Sequence, residues 1–441
     1  MIFSYSKVKI TILTYTCIFS VPVFAFNLND AWQAALNHSA EFSAARHNRD
    51  AEAEQKHQAR AALLPQVTLA ANHQAQPSSS FASERSSQGW RVGASQVLFD
   101  KSRFAQYKQG RLAEEMAGIR LKRSEAELRM NVARAYFDVL LNKDKLVALR
   151  SEKAAYAHQL EQAKAMFEAG AATILDTYEA QAGYDAALAK EIETLTALQT
   201  SQDTLLNLTG LNPDNISPLK SGNLPDLLEN SDEIQWQESA KRYNLDWQLQ
   251  RKEVQNAHAA LQAEKGARLP VLVVNGSYQD NRNIYRNGPG LEQKHRNKGS
   301  SFSIQLSMPL FSGGRISSSI RAAASREMQN KDMLTATERN IRLAVRQAYT
   351  LTKSSRIQIL AQHRLLKTNQ VRLEATQLGR QVGVRNNLEE TQAQRTKAEA
   401  EQKLAEAKYN YIQAYLQLLQ SSGLLNDENR AKKIATLLFY R

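Results

Sequence analysis

The sequence predicts a mainly α-helical fold with a small β part: internally duplicated, long coiled-coil helices plus four β-strands per chain. Three observations predict it. Residues 101–210 and 312–423 contain no proline and are rich in Ala, Gln, Glu, Lys, Arg and Leu, as helices are. Four short segments alternate apolar and polar residues, the period of a strand with different surroundings on its two faces. A glycine turn also occurs twice, in "EAGAATILDTYEAQ" (168–181) and "QVGVRNNLEETQAQ" (381–394), with Gly170 and Gly383 213 residues apart.

The N-terminus reads first. Residues 1–25 hold Lys7 and Lys9, an apolar run from Ile10 to Phe24 and a small-residue cleavage site at Ala25, the pattern of a secretory signal peptide. Its removal takes two positive charges and no negative ones from a chain of net charge +13, leaving +11. It also takes Cys17, the only cysteine, so no disulfide, thiol or cysteine metal ligand is expected. "TYTC" lacks a lipoprotein pattern. The Lys and Arg residues are interleaved with Asp, Glu and Gln, which argues against nucleic acid as a partner. No later stretch is apolar for twenty residues, so any membrane contact must use strands or a surface.

The helical stretches carry a seam. Leu121, Leu128, Val132, Ala135, Val139, Leu146 and Leu149 follow heptad spacing. Their counterparts 213 residues on are Leu334, Ile341, Val345, Ala348, Thr352, Ile359 and Gln362, five of them apolar, which marks a duplication by register. The first repeat, 26–210, is expected to hold a helix at 28–63, a hairpin at 66–99, a long helix at 101–169, a tip turn at 170–173 and a returning helix to 209. A linker at 211–237 follows. The second repeat, 238–423, holds a helix at 238–266, a hairpin at 271–311, a long helix at 312–382, a tip turn at 383–386 and a returning helix to 422. Residues 424–441 form a tail, expected beside the linker at mid-height. Each long helix would run about 100 Å, with the glycine turns at the end farthest from the strands.

The strand segments are 65–74, 89–99, 270–279 and 301–311, at about ten residues each the length of outer-membrane barrel strands. In the clearest, Phe302, Ile304, Leu306, Met308 and Leu310 alternate with Ser303, Gln305 and Ser307, so one face is apolar and is expected to meet outer-membrane lipid. Four strands cannot close a barrel, and open edges are not tolerated in lipid. Copies must therefore pool strands. Three copies give twelve, enough to leave a lumen, with twelve helices extending it as an α-barrel.

This plan, with "ARAALLPQVTL", "QVLFD", "SMPLFSGGR", "VARAYFDVL" and the paired glycine turns, resembles the TolC family of outer-membrane channel tunnels from about residue 28 to 424. The resemblance implies a homotrimer in the outer membrane, reaching into the periplasm. It would serve as the exit duct of a tripartite export system for drugs or type I secreted polypeptides. Implied partners are a periplasmic adaptor docked at the tip turns of Gly170 and Gly383, and an inner-membrane ABC or proton-driven pump.

At each turn an N-cap residue and an acid three positions on form a capping box: Thr173 with Asp176, and Asn386 with Glu389. Both acids are adequately explained as caps. The resemblance adds a second role, a periplasmic gate of Asp176, Arg385 and Glu389. Arg385 stands where the first repeat has Ala172. It matches an arginine that ties the family's inner coiled coil shut with the aspartate matching Asp176. Glu389 matches one member of a cation-binding ring, whose next member is Gln392 here, and a tyrosine of the lock is replaced by Arg380.

The eight histidines lack metal-ligand spacing and no serine lies in a G-x-S-x-G elbow, so no enzyme, cofactor or metal is expected. Gly313-Gly314 reads as a strand-to-helix turn and not as a phosphate cradle. The alternative reading is an exported coiled-coil scaffold or adhesin without a pore.

Overall fold

The computed structural model describes residues 25–77, 83–220, 222, 224–228, 231–287 and 292–439. Residues 1–24 of the expected signal peptide lie outside them. The helix that leads into each hairpin, expected to be continuous, is broken once. Residues 28–63 divide into α1 (Leu28–His38) and α2 (Ala40–Ala61), and in the second half α5 (Glu233–Tyr243) precedes α6 (Leu245–Gly266). The breaks fall at Ser39 and Asn244, which adopt extended backbone and cap the helix that follows. Ser39 Oγ accepts from the Phe42 amide at 3.3 Å, and Asn244 Oδ1 from that of Trp247 at 3.0 Å. α5 also starts inside the segment expected to be linker.

The long helices are α3 (Lys101–Glu168) and α7 (Arg315–Gln381), of 68 and 67 residues. α4 (Ile174–Thr209) returns along α3, and α8 (Asn387–Ser421) along α7. The seam residues Leu128, Val132, Ala135, Val139, Leu146 and Leu149 are buried, as are Val345, Ala348, Thr352 and Ile359. Thr352 is the polar exception. It fits because its hydroxyl donates to the Ala348 carbonyl at 2.8 Å.

The core lies at mid-length. Trp32, Tyr136, Phe137, Tyr411 and Phe439 are its largest fully buried side chains. Tyr136 meets Phe26 and Phe439 edge-on, at 6.0 and 5.4 Å between centroids, and Phe137 stacks on Phe439. The polar atoms of two of these rings are bonded: Tyr136 Oη donates to the carbonyls of Ser217 (2.9 Å) and Phe26 (3.2 Å), and Trp32 Nε1 to that of Arg129 (2.8 Å). The tail is ordered as α9 (Glu428–Leu438) and meets the linker, where the Lys220 amide donates to the Leu438 carbonyl at 2.9 Å.

β1 (Gln66–Pro77), β2 (Ser83–Phe99), β3 (Val271–Asn287) and β4 (Glu292–Ser307) form one antiparallel sheet in sequence order, with β1 and β4 at its edges. At 12, 17, 17 and 16 residues they exceed the expected ten. The ladder continues into polar sequence such as "NRNIYRN" and "EQKHRNKG", where no apolar alternation marks it. The first hairpin has 12 pairs and the second 16. β4 ends at Ser307, before Pro309, which has no amide to give the ladder. Met308 therefore lies just beyond the strand to which the alternation assigned it.

Candidate functional site

Two regions carry the candidate chemistry, the sheet and the helix tips. The register aligns Leu69 with Val92 and Val92 with Tyr278. It also aligns Gly276 with Phe302, Val274 with Ile304, and Leu272 with Leu306. One face thus gathers Val67, Leu69, Trp90, Val92, Tyr278, Phe302, Ile304 and Leu306, and all of these are exposed, Phe302 and Leu69 to 73%. Trp90 and Tyr278 pack together at 5.5 Å where this apolar band ends. Met308, Leu310 and Phe311 extend the apolar surface beyond the strand. On the opposite face, Ser277 and Ser301 share a hydroxyl contact of 2.9 Å, and Arg91 Nη2 donates to Gln279 Oε1 at 2.8 Å. No helix among the described residues is long and apolar enough to cross a membrane. A sheet with one exposed apolar face, one polar face and aromatic residues at the boundary has the make-up of an outer-membrane barrel wall.

At the tips, Gly170 (φ 71°) and Gly383 (φ 76°) close the long helices in the left-handed region, which is why glycine is needed there. The amide of Ala171 reaches back to the Met166 carbonyl and that of Val384 to Gly379, both at 2.8 Å. The capping boxes form. The Thr173 amide donates to Asp176 Oδ2 at 2.9 Å and the Asn386 amide to Glu389 Oε2 at 3.1 Å, and the return bonds are also made. Bonds from Thr173 hold the Asp176 carboxyl below its usual range. The Asn386 amide, then Arg385, do the same for Glu389.

Within the chain Arg385 does not pair with Asp176. Its Nη1 donates to Glu389 Oε1 at 2.6 Å, an i,i+4 ion pair inside the turn, while Asp176, on the other hairpin of helices, is engaged by Thr173. The gate expectation thus brings two of its three residues together. Sequence reading named Arg380 only as the replacement of a lock tyrosine, without its partners, and missed Gly379. Arg380 pairs with Glu390 (Nε to Oε2, 2.5 Å) and donates to Gln162 Oε1 at 2.8 Å, bridging α7 to α3 and α8. Gly379 lies beneath Arg385: a Cβ built on it would come within 2.7 Å of Arg385 Cγ. A signal existed, since the residue 213 positions before Gly379 is the long Met166.

Comparison with known proteins agrees with this geometry. The family described as "Outer membrane efflux protein" matches residues 31–211 and 236–424. The chain is 28% identical over 418 residues to the Proteases secretion protein PrtF of Dickeya chrysanthemi, covering 92% of this chain and 90% of PrtF. It is 28% identical over 411 residues to the outer membrane protein TolC of Vibrio cholerae, covering 93% of each. Its fold matches the crystal structure of a membrane protein from Pseudomonas aeruginosa with a TM-score of 0.77, at 20% identity, over 90% of this chain and 95% of that one. None of these relatives favours the pore-free scaffold. The chain belongs to the outer membrane efflux protein family.

Proposed function

We propose that three copies of this chain pool their sheets into a twelve-stranded barrel in the outer membrane. Their helices would then form a periplasmic tube that passes cargo from an inner-membrane pump to the cell exterior. The observation that carries this is the sheet. It presents an exposed apolar band on one face and polar side chains on the other, and it leaves β1 and β4 unpaired at its edges. An open edge in lipid costs several kcal/mol for each unsatisfied group, so edges must join between copies. The tip turns at Gly170 and Gly383 end the tube and are the docking point for an adaptor. There Leu175, Tyr178, Val382, Val384 and Leu388 expose apolar side chains. Asp176, Arg385 and Glu389 form the charged rim of that mouth. PrtF, by its name, serves protease secretion, which favours a polypeptide as cargo over small molecules.

Two measurements test this reading. Purified protein run unheated in SDS should migrate at three times the chain mass, and in planar bilayers it should conduct ions. Migration as a monomer together with the absence of conductance would refute it.

A further inference from the structure

The strands are longer than the membrane requires. About 9–11 residues of tilted strand cross a bilayer, whereas β3 has 17 and β4 has 16. The helices leave the sheet at the other end, so the surplus belongs to the hairpin ends. The Trp90–Tyr278 pair marks where the apolar band stops, as aromatic residues do at a membrane boundary.

The lipid-facing side does not turn neutral beyond that pair. Side chains of one parity share a face, and the parity of Phe302 and Ile304 continues through Lys298, Arg296 and Lys294 on β4. The register sets Asp280 against Lys298, Arg282 against Arg296, and Ile284 against Lys294. Arg282, Lys294, Arg296 and Lys298 are all exposed. Two carboxylates share this surface. Asp280 binds Arg296 in a two-pronged pair (2.9 and 2.7 Å) and lies 3.8 Å from Lys298, and Glu292 lies 3.3 Å from Lys294. Among the described side chains of this surface, four cations thus face two acids. Arg282 and Arg296 stand directly opposite one another, an arrangement that costs energy unless an anion lies between them. The polar face at the same levels carries Asn281, Asn283, His295 and Asn297, so the cations are concentrated on the lipid side.

We propose that Arg282, Lys294, Arg296 and Lys298 form a binding surface for the phosphate groups of an anionic glycolipid in the outer leaflet, lipid A. The aromatic pair fixes the acyl boundary, and the next outward positions, at about 3.4 Å per residue along the strand, lie at headgroup height. Asp280 orients the Arg296 guanidinium and leaves other N–H donors free for phosphate oxygens. This inference rests on the outer-membrane reading of the sheet.

The test is retention of lipid A by the purified, detergent-solubilised protein, measured by native mass spectrometry. The variant is Arg282→Ala/Lys294→Ala/Lys298→Ala, which keeps the Asp280–Arg296 pair intact. Each lysine or arginine near an anionic surface contributes roughly a fivefold factor, so retention should fall on the order of a hundredfold. It should fall with added salt as well, and dephosphorylated lipid A should bind no better to wild type than to the variant. Arg91→Ala, on the polar face, should retain lipid A as wild type does. Unchanged retention in the triple variant would overturn the proposal, and so would equal retention of phosphatidylglycerol and lipid A by wild type. Bilayer conductance, measured on the same variant, is expected to persist. Its presence separates failure of this site from failure of the channel reading, and the milder Lys294→Gln/Lys298→Gln variant gives the same readout if the triple variant does not assemble.

Discussion

Arg385 lies across Gly379, with its Cγ 2.7 Å from where a Cβ at position 379 would stand. The first repeat reverses the sizes, with Met166 at the position of Gly379 and Ala172 at that of Arg385. Each tip therefore has one long and one small side chain, exchanged between the two positions. Gly379→Ala would raise helix propensity by up to about 1 kcal/mol, yet it must push the arginine away from Glu389. We expect Gly379→Ala and Arg385→Ala each to alter single-channel conductance while the melting of the assembled protein stays unchanged. The double variant should add little, because either change already breaks the Arg385–Glu389 contact. Additive conductance effects would show that the two residues act separately.

The caps give a pH dependence with a definite sign. Asp176 and Glu389 both titrate below their ordinary values of 3.8 and 4.5 in the folded chain. A depressed carboxyl stabilises the fold above its unfolded value, and that contribution is lost as pH falls through the folded value. The two caps should therefore stabilise the tips undiminished from neutral pH down to about 4.5, and helicity there should fall in a step only in stronger acid. In an Asp176→Asn/Glu389→Gln variant the acid step should vanish. A step near pH 6 would point to another group.

On the sheet, Leu306→Arg places a charge in the apolar band and should cost about 2–4 kcal/mol if it lies near the bilayer midplane. Gln305→Arg, on the polar face, should leave assembly intact and change ion selectivity. Assembly yield in native membranes, followed by bilayer recordings, separates the two. Equal damage at both positions would contradict the assignment of faces.

Phe439→Ala tests the anchoring of the tail. Phe439 is only 2% exposed and touches both Tyr136 and Phe137, so truncation should cost about 3–5 kcal/mol. Thermal unfolding should report that loss. An unchanged midpoint would mean that the tail is dispensable to the core.

The long helices, the paired turns and the two-faced strands were legible because each leaves a periodic or repeated mark. Proline-free stretches, each divided by its glycine turn, delimit α3 and α7 to within a few residues. The apolar alternation of Phe302, Ile304 and Leu306 reports its own face. The helix breaks at Ser39 and Asn244 were not legible, since a single capping residue inside a helical pattern reads equally as a solvent-facing polar position. Nor was the length of β3, because "NRNIYRN" lacks the apolar alternation that marks a strand. The Arg385–Glu389 pair could have been read from its i,i+4 spacing, but the resemblance drew attention to Asp176 instead.

The second hairpin exceeds the first by four rungs, with 16 pairs against 12. The repeat offset also grows across the hairpins, from 205 between the starts of β1 and β3 to 213 between those of α4 and α8. Despite the difference, the apolar face runs in register across all four strands. The hairpins are thus places where length can vary without consequence for the tube. The end of the chain's two halves at the sheet differs in length, while the end at the glycine turns keeps one spacing.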